Sequence, residues 1–191
     1  LCMFDYFQKA ELVEEKILHV EDLDFGVNSL TYNKEPNQFR YLVFQGQQLT
    51  ARVRYFGEDP LERVSAVEFF DGFGNLYRVD FYDFRGFLSL SQWYTPDNKI
   101  GTEVWMDING KPVLETFNKY DGNHKYTKSG WRLNGADGAI YNFTNIDELT
   151  LHFLNLLNEE YWQDDKANIF IMDRTHLADW ALLNLDRPAY T

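Results

Sequence analysis

The sequence predicts an α+β fold, in which an extended antiparallel β-meander of about eight strands is followed by part of a doubly wound α/β domain. Three features support this: aromatic residues recur every twelve positions, turn-forming residues keep the same spacing, and helical periodicity replaces both after residue 145. A repeat this short indicates one small structural unit copied several times. The aromatic positions are Phe69, Phe81, Trp93, Trp105 and Phe117, and the turn-forming positions are Gly74, Gly86, Asn98, Gly110 and Gly122.

The loops between the repeats have the composition of tight hairpin turns. They are Asp-Phe-Arg-Gly (83–86), Thr-Pro-Asp-Asn (95–98), Asp-Ile-Asn-Gly (107–110) and Lys-Tyr-Asp-Gly (119–122). An Asp at the first position accepts hydrogen bonds from the backbone, and Gly or Asn at the fourth tolerates a positive φ. This chemistry predicts a type I turn closed by a G1 bulge, so that each repeat is one strand and one turn.

Less regular segments extend the meander, which is expected to begin at 39–46 and to end at 125–133. Both faces of this sheet are rich in apolar side chains, so each face needs a cover or is a binding surface. The sequence leaves open whether the cover is a layer of the same chain or a partner. Six aromatic residues are assigned to one face as candidates for an acceptor or partner surface: Tyr77, Phe81, Phe87, Trp93, Trp105 and Phe117.

The segments that flank the meander predict helices. Apolar positions between residues 3 and 20 are three or four apart, which indicates an N-terminal helix. Asn145 and Glu148 form a capping box for a helix that continues through Leu157. The apolar run 167–172 predicts a strand buried on both faces, a second helix is expected at roughly 177–185, and "PAYT" (188–191) begins another strand. We expect the rest of this domain to lie outside the sequence.

A charged group follows the predicted strand 167–172. Ligands of open α/β sheets bind beyond the carboxyl ends of the strands, so Asp173, Arg174 and His176 are candidates for substrate binding. The alternative is a structural ion pair beside a solvated histidine. The four histidines lack the spacing of metal ligands, and no set of residues predicts a catalytic centre.

Composition narrows the classes of function. The 191 residues include 18 Lys and Arg against 30 Asp and Glu, and the resulting charge of −12 argues against nucleic-acid binding. No apolar run approaches the ~20 residues that a transmembrane helix needs. The single cysteine cannot form an intrachain disulfide, which favours a reducing compartment. We therefore expect a cytoplasmic location, either free or peripheral at the inner face of the membrane.

Several segments together resemble a family of bacterial enzymes. They are "MFDYFQ" (3–8), "RGFLSLSQWY" (85–94), "DINGKPVLETF" (107–117) and "IFIMDR" (169–174). The chain resembles the N-terminal half of the retaining glycosyltransferases that have two Rossmann domains (the GT-B fold). These include poly(glycerol-phosphate) α-glucosyltransferases of teichoic acid synthesis and the transferases that glycosylate serine-rich adhesins for the accessory Sec system.

The resemblance implies three parts. Residues 1–30 are a helical lead-in from the first Rossmann domain, 31–143 are the inserted extended sheet, and 144–191 are a truncated Rossmann-like α/β segment. It also implies an enzyme that moves a sugar from a nucleotide-sugar donor to a teichoic-acid-type polymer or a serine-rich protein. The sheet would dock the acceptor, a paired glycosyltransferase subunit or a second copy. Because the family's donor-phosphate groups lie in the second Rossmann domain, we expect residues 1–191 alone to be inactive and to hold no cofactor.

A second hypothesis is a non-catalytic β-repeat module that binds carbohydrate or cell wall through its aromatic residues. The segment 145–191 discriminates between the two hypotheses, since a wall-binding repeat has no need for part of an α/β domain.

Overall fold

A single antiparallel sheet dominates the computed structural model, which describes residues 2–122, 125–163, 166–171 and 178–190. In these ranges ten strands lie side by side in the order in which they occur along the chain, which confirms the predicted meander. The strands are β1 (Leu30–Glu35), β2 (Arg40–Gln45), β3 (Gln48–Tyr55), β4 (Val64–Phe70), β5 (Leu76–Tyr82), β6 (Leu88–Tyr94), β7 (Ile100–Met106), β8 (Pro112–Tyr120), β9 (Tyr126–Asn134) and β10 (Ile140–Phe143). The helices are α1 (Met3–Gln8), α2 (Ile146–Glu160) and α3 (Asp179–Leu183), with 3-10 turns at Ala10–Leu12, Val20–Asp22 and Pro36–Gln38.

The hairpin turns have the predicted chemistry. In the turn between β7 and β8 the Gly110 N–H donates to the Asp107 carbonyl at 2.9 Å, and Gly110 has a φ of 77°. The Asp107 carboxylate accepts from the N–H groups of Asn109 and Lys111, both at 2.9 Å. One predicted turn is wrong: β8 continues through Tyr120, so the reversal begins at Asp121 and not at residue 119.

Each hairpin of the repeat also contains one unpaired residue. The register between neighbouring strands shifts by one position, which leaves an extra residue on the second strand of each hairpin. Such β-bulges bend a strand and increase its local twist. The repeat unit is therefore a strand, a tight turn and a bulge. The extra residues are again twelve apart: Ser65, Tyr77, Ser89, Gly101 and Val113.

Equivalent residues of successive repeats lie on opposite faces of the sheet. Leu90 pairs with both Phe81 and Trp105, whereas Trp93 pairs with Arg78 and Thr102. Since side chains alternate along a strand, Leu90 and Trp93 lie on opposite faces, and so do Trp105 and Trp93. The assignment of the six aromatic residues to one face is therefore wrong. We call the face with Phe81 and Trp105 the front face, and the face with Trp93 the back face.

Helices cover the front face at strands β7–β9. Trp105, Leu114 and Leu133 are buried there, and the Phe4 ring of α1 stacks on Trp105 with 5.0 Å between ring centroids. The buried Gln8 side chain fixes the end of α1, because its Nε2 donates to the carbonyls of Ser89 at 2.7 Å and Met106 at 2.8 Å. Leu149 of α2 completes this core.

An extended segment covers the back face at strands β2–β4, where a helix was predicted. The helix ends at Gln8 because Lys9 is left-handed, with a φ of 57°. Leu18 and Val20 then pack on the back face against a cluster that includes Val67. Backbone hydrogen bonds to the sheet replace helical ones, with the Val64 N–H donating to the Leu18 carbonyl at 2.9 Å. We call residues 9–25 the N-terminal strap.

The strap passes from the front face to the back face around the turn between β5 and β6. Arg85 in this turn holds it: Nη1 donates to the Ala10 carbonyl at 2.9 Å, and Nη2 lies 3.5 Å from Asp5 Oδ1. The Lys16 N–H donates to the Arg85 carbonyl at 3.0 Å. Gly86 makes this contact possible, because a Cβ at that position would lie 2.0 Å from the Lys16 carbonyl oxygen.

The C-terminal segment contains the predicted helix α2, whose Asn145 cap accepts from the Glu148 N–H at 3.0 Å. A parallel bridge joins Ile169 to Tyr190, which agrees with the predicted β–α–β order. The predicted burial of this strand on both faces is wrong, since Ile169 is 71% and Ile171 92% exposed. Phe170, which lies between them, packs against the core formed by α2 and α3.

We predict that Gly86→Ala destabilises the chain much more than Gly110→Ala. Both glycines occupy the same turn position with positive φ, so an alanine costs about 1–2 kcal/mol at either site for the left-handed conformation. Only at Gly86 does the new Cβ also strike the strap, whereas Gly110 has open space around it. Urea unfolding of the two variants measures the difference. Equal losses of unfolding free energy would contradict the role of the strap contact.

Candidate functional site

The six candidate aromatic residues divide between an exposed and a buried group. Tyr77, Trp93 and Phe117 are 38%, 43% and 45% exposed. Phe87 and Trp105 are buried, and Phe81 is half-buried on the front face. We call Tyr77, Trp93 and Phe117 the back-face patch. The structure brings these three together and separates them from the other three.

Strand pairing and ring contacts hold the back-face patch in place. The Tyr77 ring lies 6.4 Å from the Trp93 ring, and Phe117 is in the same row of the sheet, two strands away. The Arg78 guanidinium carbon lies 4.1 Å from the centroid of Phe69 and 5.4 Å from that of Trp93. The patch is therefore an aromatic surface beside a cation, because the Arg78 guanidinium lies between Trp93 of the patch and the buried Phe69 next to it.

A buried carboxylate lies beneath the patch. Asp80 accepts a hydrogen bond from Ser91 Oγ at 2.7 Å, and its other oxygen is 3.3 Å from Arg78 Nη2. Burial raises the pKa of Asp80 above its ordinary value, and the bonds to Ser91 and Arg78 partly offset this. Sequence inspection missed Arg78 and Asp80. Their two-residue spacing, which places two side chains on one face of a strand, was the signal that could have found them.

A concave site lies at the junction between the sheet and the helices. It is a cleft of about 590 Å³ between α1, the residues that follow it, α2 and the turns β7–β8 and β9–β10. Tyr6 Oη donates to Glu160 Oε2 at 3.0 Å, and Tyr141 Oη donates to Asp137 Oδ2 at 2.6 Å. Sequence analysis missed this cleft, because it depends on how α1 and α2 pack on the sheet.

The environment of the cleft shifts several pKa values. Burial, together with the hydrogen bond to Glu160, raises the pKa of Tyr6 to about 12. The hydrogen bond from Tyr141 lowers the pKa of Asp137. Burial lowers the pKa of His152, whose ring lies 4.6 Å from that of Tyr141, and nearby Asp137 opposes this shift. Burial of His152 thus favours its neutral form.

The third candidate group, Asp173, Arg174 and His176, lies outside the described residues. In the ranges that are described, no three His, Cys, Asp or Glu side chains are arranged to hold a metal ion. Within the same ranges, no helix has the length and apolar character to cross a membrane.

The sheet matches a known protein family. The model of the GtfB middle domain family matches residues 36–133, from the turn before β2 almost to the end of β9. This chain belongs to the GtfB middle domain family. The match confirms the resemblance drawn from the sequence. No curated protein matches the chain.

Solved structures show the same fold. Accessory secretory protein 1, 2 and 3 of Streptococcus pneumoniae matches with a TM-score of 0.73 and 16% identity, over 98% of this chain and 35% of that one. The GtfA/B complex bound to UDP and GlcNAc gives 0.67 and 14%, over 99% and 39%. The pneumococcal O-GlcNAc transferase GtfA, in complex with UDP and GlcNAc, gives 0.67 and 16%, over 95% and 33%. This chain therefore spans between a third and two fifths of the length of these solved chains.

We predict that acidification destabilises the chain through His152. Burial lowers the pKa of His152 in the folded state, so below the unfolded pKa of about 6.5 the unfolded chain binds a proton there more readily. The free energy of unfolding is therefore highest above that pH and decreases as the pH falls below it. His152→Phe keeps a ring against Tyr141 and removes the titration. Urea unfolding between about pH 7 and pH 5 should show a steeper loss of stability for the parent than for His152→Phe. Identical slopes would contradict this prediction.

Proposed function

We propose that this chain is the sheet domain and the adjoining part of the first Rossmann domain of a glycosyltransferase or of its paired subunit. The sheet serves as a platform that docks the acceptor or the partner subunit. The complete protein acts in the cytoplasm, where it takes part in moving a sugar from a nucleotide-sugar donor to a serine-rich protein or a teichoic-acid-type polymer. The observation that carries this proposal is the family match over residues 36–133.

The back-face patch is the part of the sheet best suited to docking. Tyr77, Trp93 and Phe117 stay exposed although the strap covers the same face at strands β2–β4. Aromatic residues and arginine are enriched where partners bind most tightly, and here the Arg78 guanidinium is already stacked on Trp93. A solved relative that covers 99% of this chain is the GtfA/B complex, which favours a paired subunit as one occupant of the sheet.

The C-terminal segment favours this function over a wall-binding repeat. Helix α2 packs on the same core as the sheet and α1, and Phe153 lies 5.9 Å from Phe7, centroid to centroid. The bridge between Ile169 and Tyr190 is parallel, as in a β–α–β unit. A module that only binds wall glycan has no use for these elements.

The docking surface can be tested by removing two rings of the patch. We predict that Trp93→Ala combined with Phe117→Ala weakens capture of an unglycosylated serine-rich acceptor or of the paired subunit by about thirtyfold, since the rings would be central contacts. Tyr32→Ala is the matched control, because Tyr32 is also on the back face and 42% exposed, but on strand β1. Unfolding curves of all variants separate lost binding from lost stability. Capture of purified wall glycan alone would favour the repeat-module hypothesis.

We predict that residues 1–191 alone do not turn over a sugar nucleotide. The net charge of the chain is −12, which disfavours binding of a donor diphosphate. A coupled assay for UDP release with UDP-GlcNAc, with and without the paired subunit, measures this. UDP release by the isolated chain would contradict the prediction.

A further inference from the structure

We propose that the cleft between α1, α2 and the turns β7–β8 and β9–β10 is a second binding site, which takes an uncharged saccharide. The choice of a sugar rests on the proposed function, whereas the existence and chemistry of the cleft do not. The cleft lies on the front side of the sheet and shares no residue with the back-face patch.

The shape of the cleft suits a small ligand with one apolar side. Its volume of about 590 Å³ falls within the ~300–1,000 Å³ typical of ligand sites. Phe7, Val113 and Leu156 line it with apolar side chains, and the buried Leu133 lies behind them. A pyranose ring presents C–H groups on one face, which pack well on such a surface.

The polar groups of the cleft suit hydroxyl ligands. Two tyrosine–carboxylate pairs line it, Tyr6 with Glu160 and Tyr141 with Asp137, and because each tyrosine proton is already donated to its carboxylate, both pairs offer a ligand acceptor oxygens. Asn134 lines the same cleft, and its Nδ2 is held by the Pro112 carbonyl at 3.0 Å. Its amide oxygen is thus fixed in orientation. Sugar hydroxyls can donate to these acceptor oxygens.

The charge of the cleft excludes anionic ligands. Four carboxylates line it, those of Glu11, Asp107, Asp137 and Glu160, against the two cations Lys9 and Lys111. Burial lowers the pKa of His152, which disfavours a positive charge on this side chain of the cleft. A negative cleft repels phosphate groups, so neither a nucleotide-sugar donor nor a phosphate polymer fits it. The remaining saccharide class is a neutral sugar unit, such as one already attached to an acceptor.

NMR titration of the complete 191-residue chain tests this proposal. N-acetylglucosamine and methyl α-glucoside are the neutral probes, and UDP is the anionic one. We expect a neutral sugar to shift the backbone amides of Val113 and Gly138 in the cleft, and not that of Gly46 in the distant β2–β3 turn. UDP should leave the cleft amides unchanged. Shifts of the same amides by UDP, or no cleft shifts with either neutral sugar, would overturn the proposal.

Two variants and one control assign the binding to the cleft. Glu160→Gln should weaken the sugar titration about tenfold, since it removes a charged acceptor. Leu156→Trp should abolish it by filling the cleft. Glu159→Gln is the control, because Glu159 is the neighbour of Glu160 on α2 but pairs with Arg187 at 3.3 Å and does not line the cleft. Unchanged titration by both cleft variants would overturn the proposal.

The result is separable from that of the docking experiment. If the back-face patch captures its partner while the cleft binds no sugar, this inference fails and the proposed function stands. If the cleft binds sugar while the patch variants capture normally, the docking role of the patch fails and the saccharide site stands. If a basic peptide shifts the cleft amides and no sugar does, the ligand is a peptide and the proposal is overturned.

Discussion

The register of the hairpins is the constraint on which the rest of this structure depends. In the hairpins from β4 to β8, the register beyond each turn and bulge pairs odd-numbered residues with even-numbered ones, as Leu90 pairs with Trp105 and Trp93 with Thr102. The repeat length of twelve is even, so equivalent aromatic residues alternate between the faces and return to the same face only after two repeats. A sheet built in this way has bulky apolar side chains on both faces, and both faces need cover.

The chain meets this need with one segment at its N-terminus and one helix after the sheet. Helix α1 and helix α2 cover the front face, and the strap crosses at Gly86 to cover the back face at the other end of the sheet. On the back face the strap covers only strands β2–β4, so that face stays open at Tyr77, Trp93 and Phe117 on later strands. The exposed aromatic residues Tyr77, Trp93 and Phe117 are those that neither cover reaches, which is why a partner surface is proposed there.

Local chemistry could be predicted from the sequence, whereas long-range packing could not. The Asp and Gly positions of the turns and the Asn145 cap depend on neighbours within a few residues, and the structure agrees with them except at the turn predicted for 119–122. The face of each aromatic residue depends on the register between strands, which a bulge such as that at Gly101 changes without a clear sequence signal. The predicted N-terminal helix forms only at Met3–Gln8 and does not continue to residue 20, because the later apolar residues Leu18 and Val20 belong to an extended segment that packs on the sheet. The cleft forms only where α1 and α2 pack on the sheet, so no single segment of the sequence indicates it.

Hydroxyl-radical footprinting with mass spectrometry tests the alternation of faces most directly. Trp93 and Trp105 occupy equivalent positions of neighbouring repeats, but Trp93 is 43% exposed and Trp105 only 9%. We expect oxidation of Trp93 to be several times faster than that of Trp105, with Phe117 resembling Trp93. Equal oxidation of Trp93 and Trp105 would contradict the register and the surface that is derived from it.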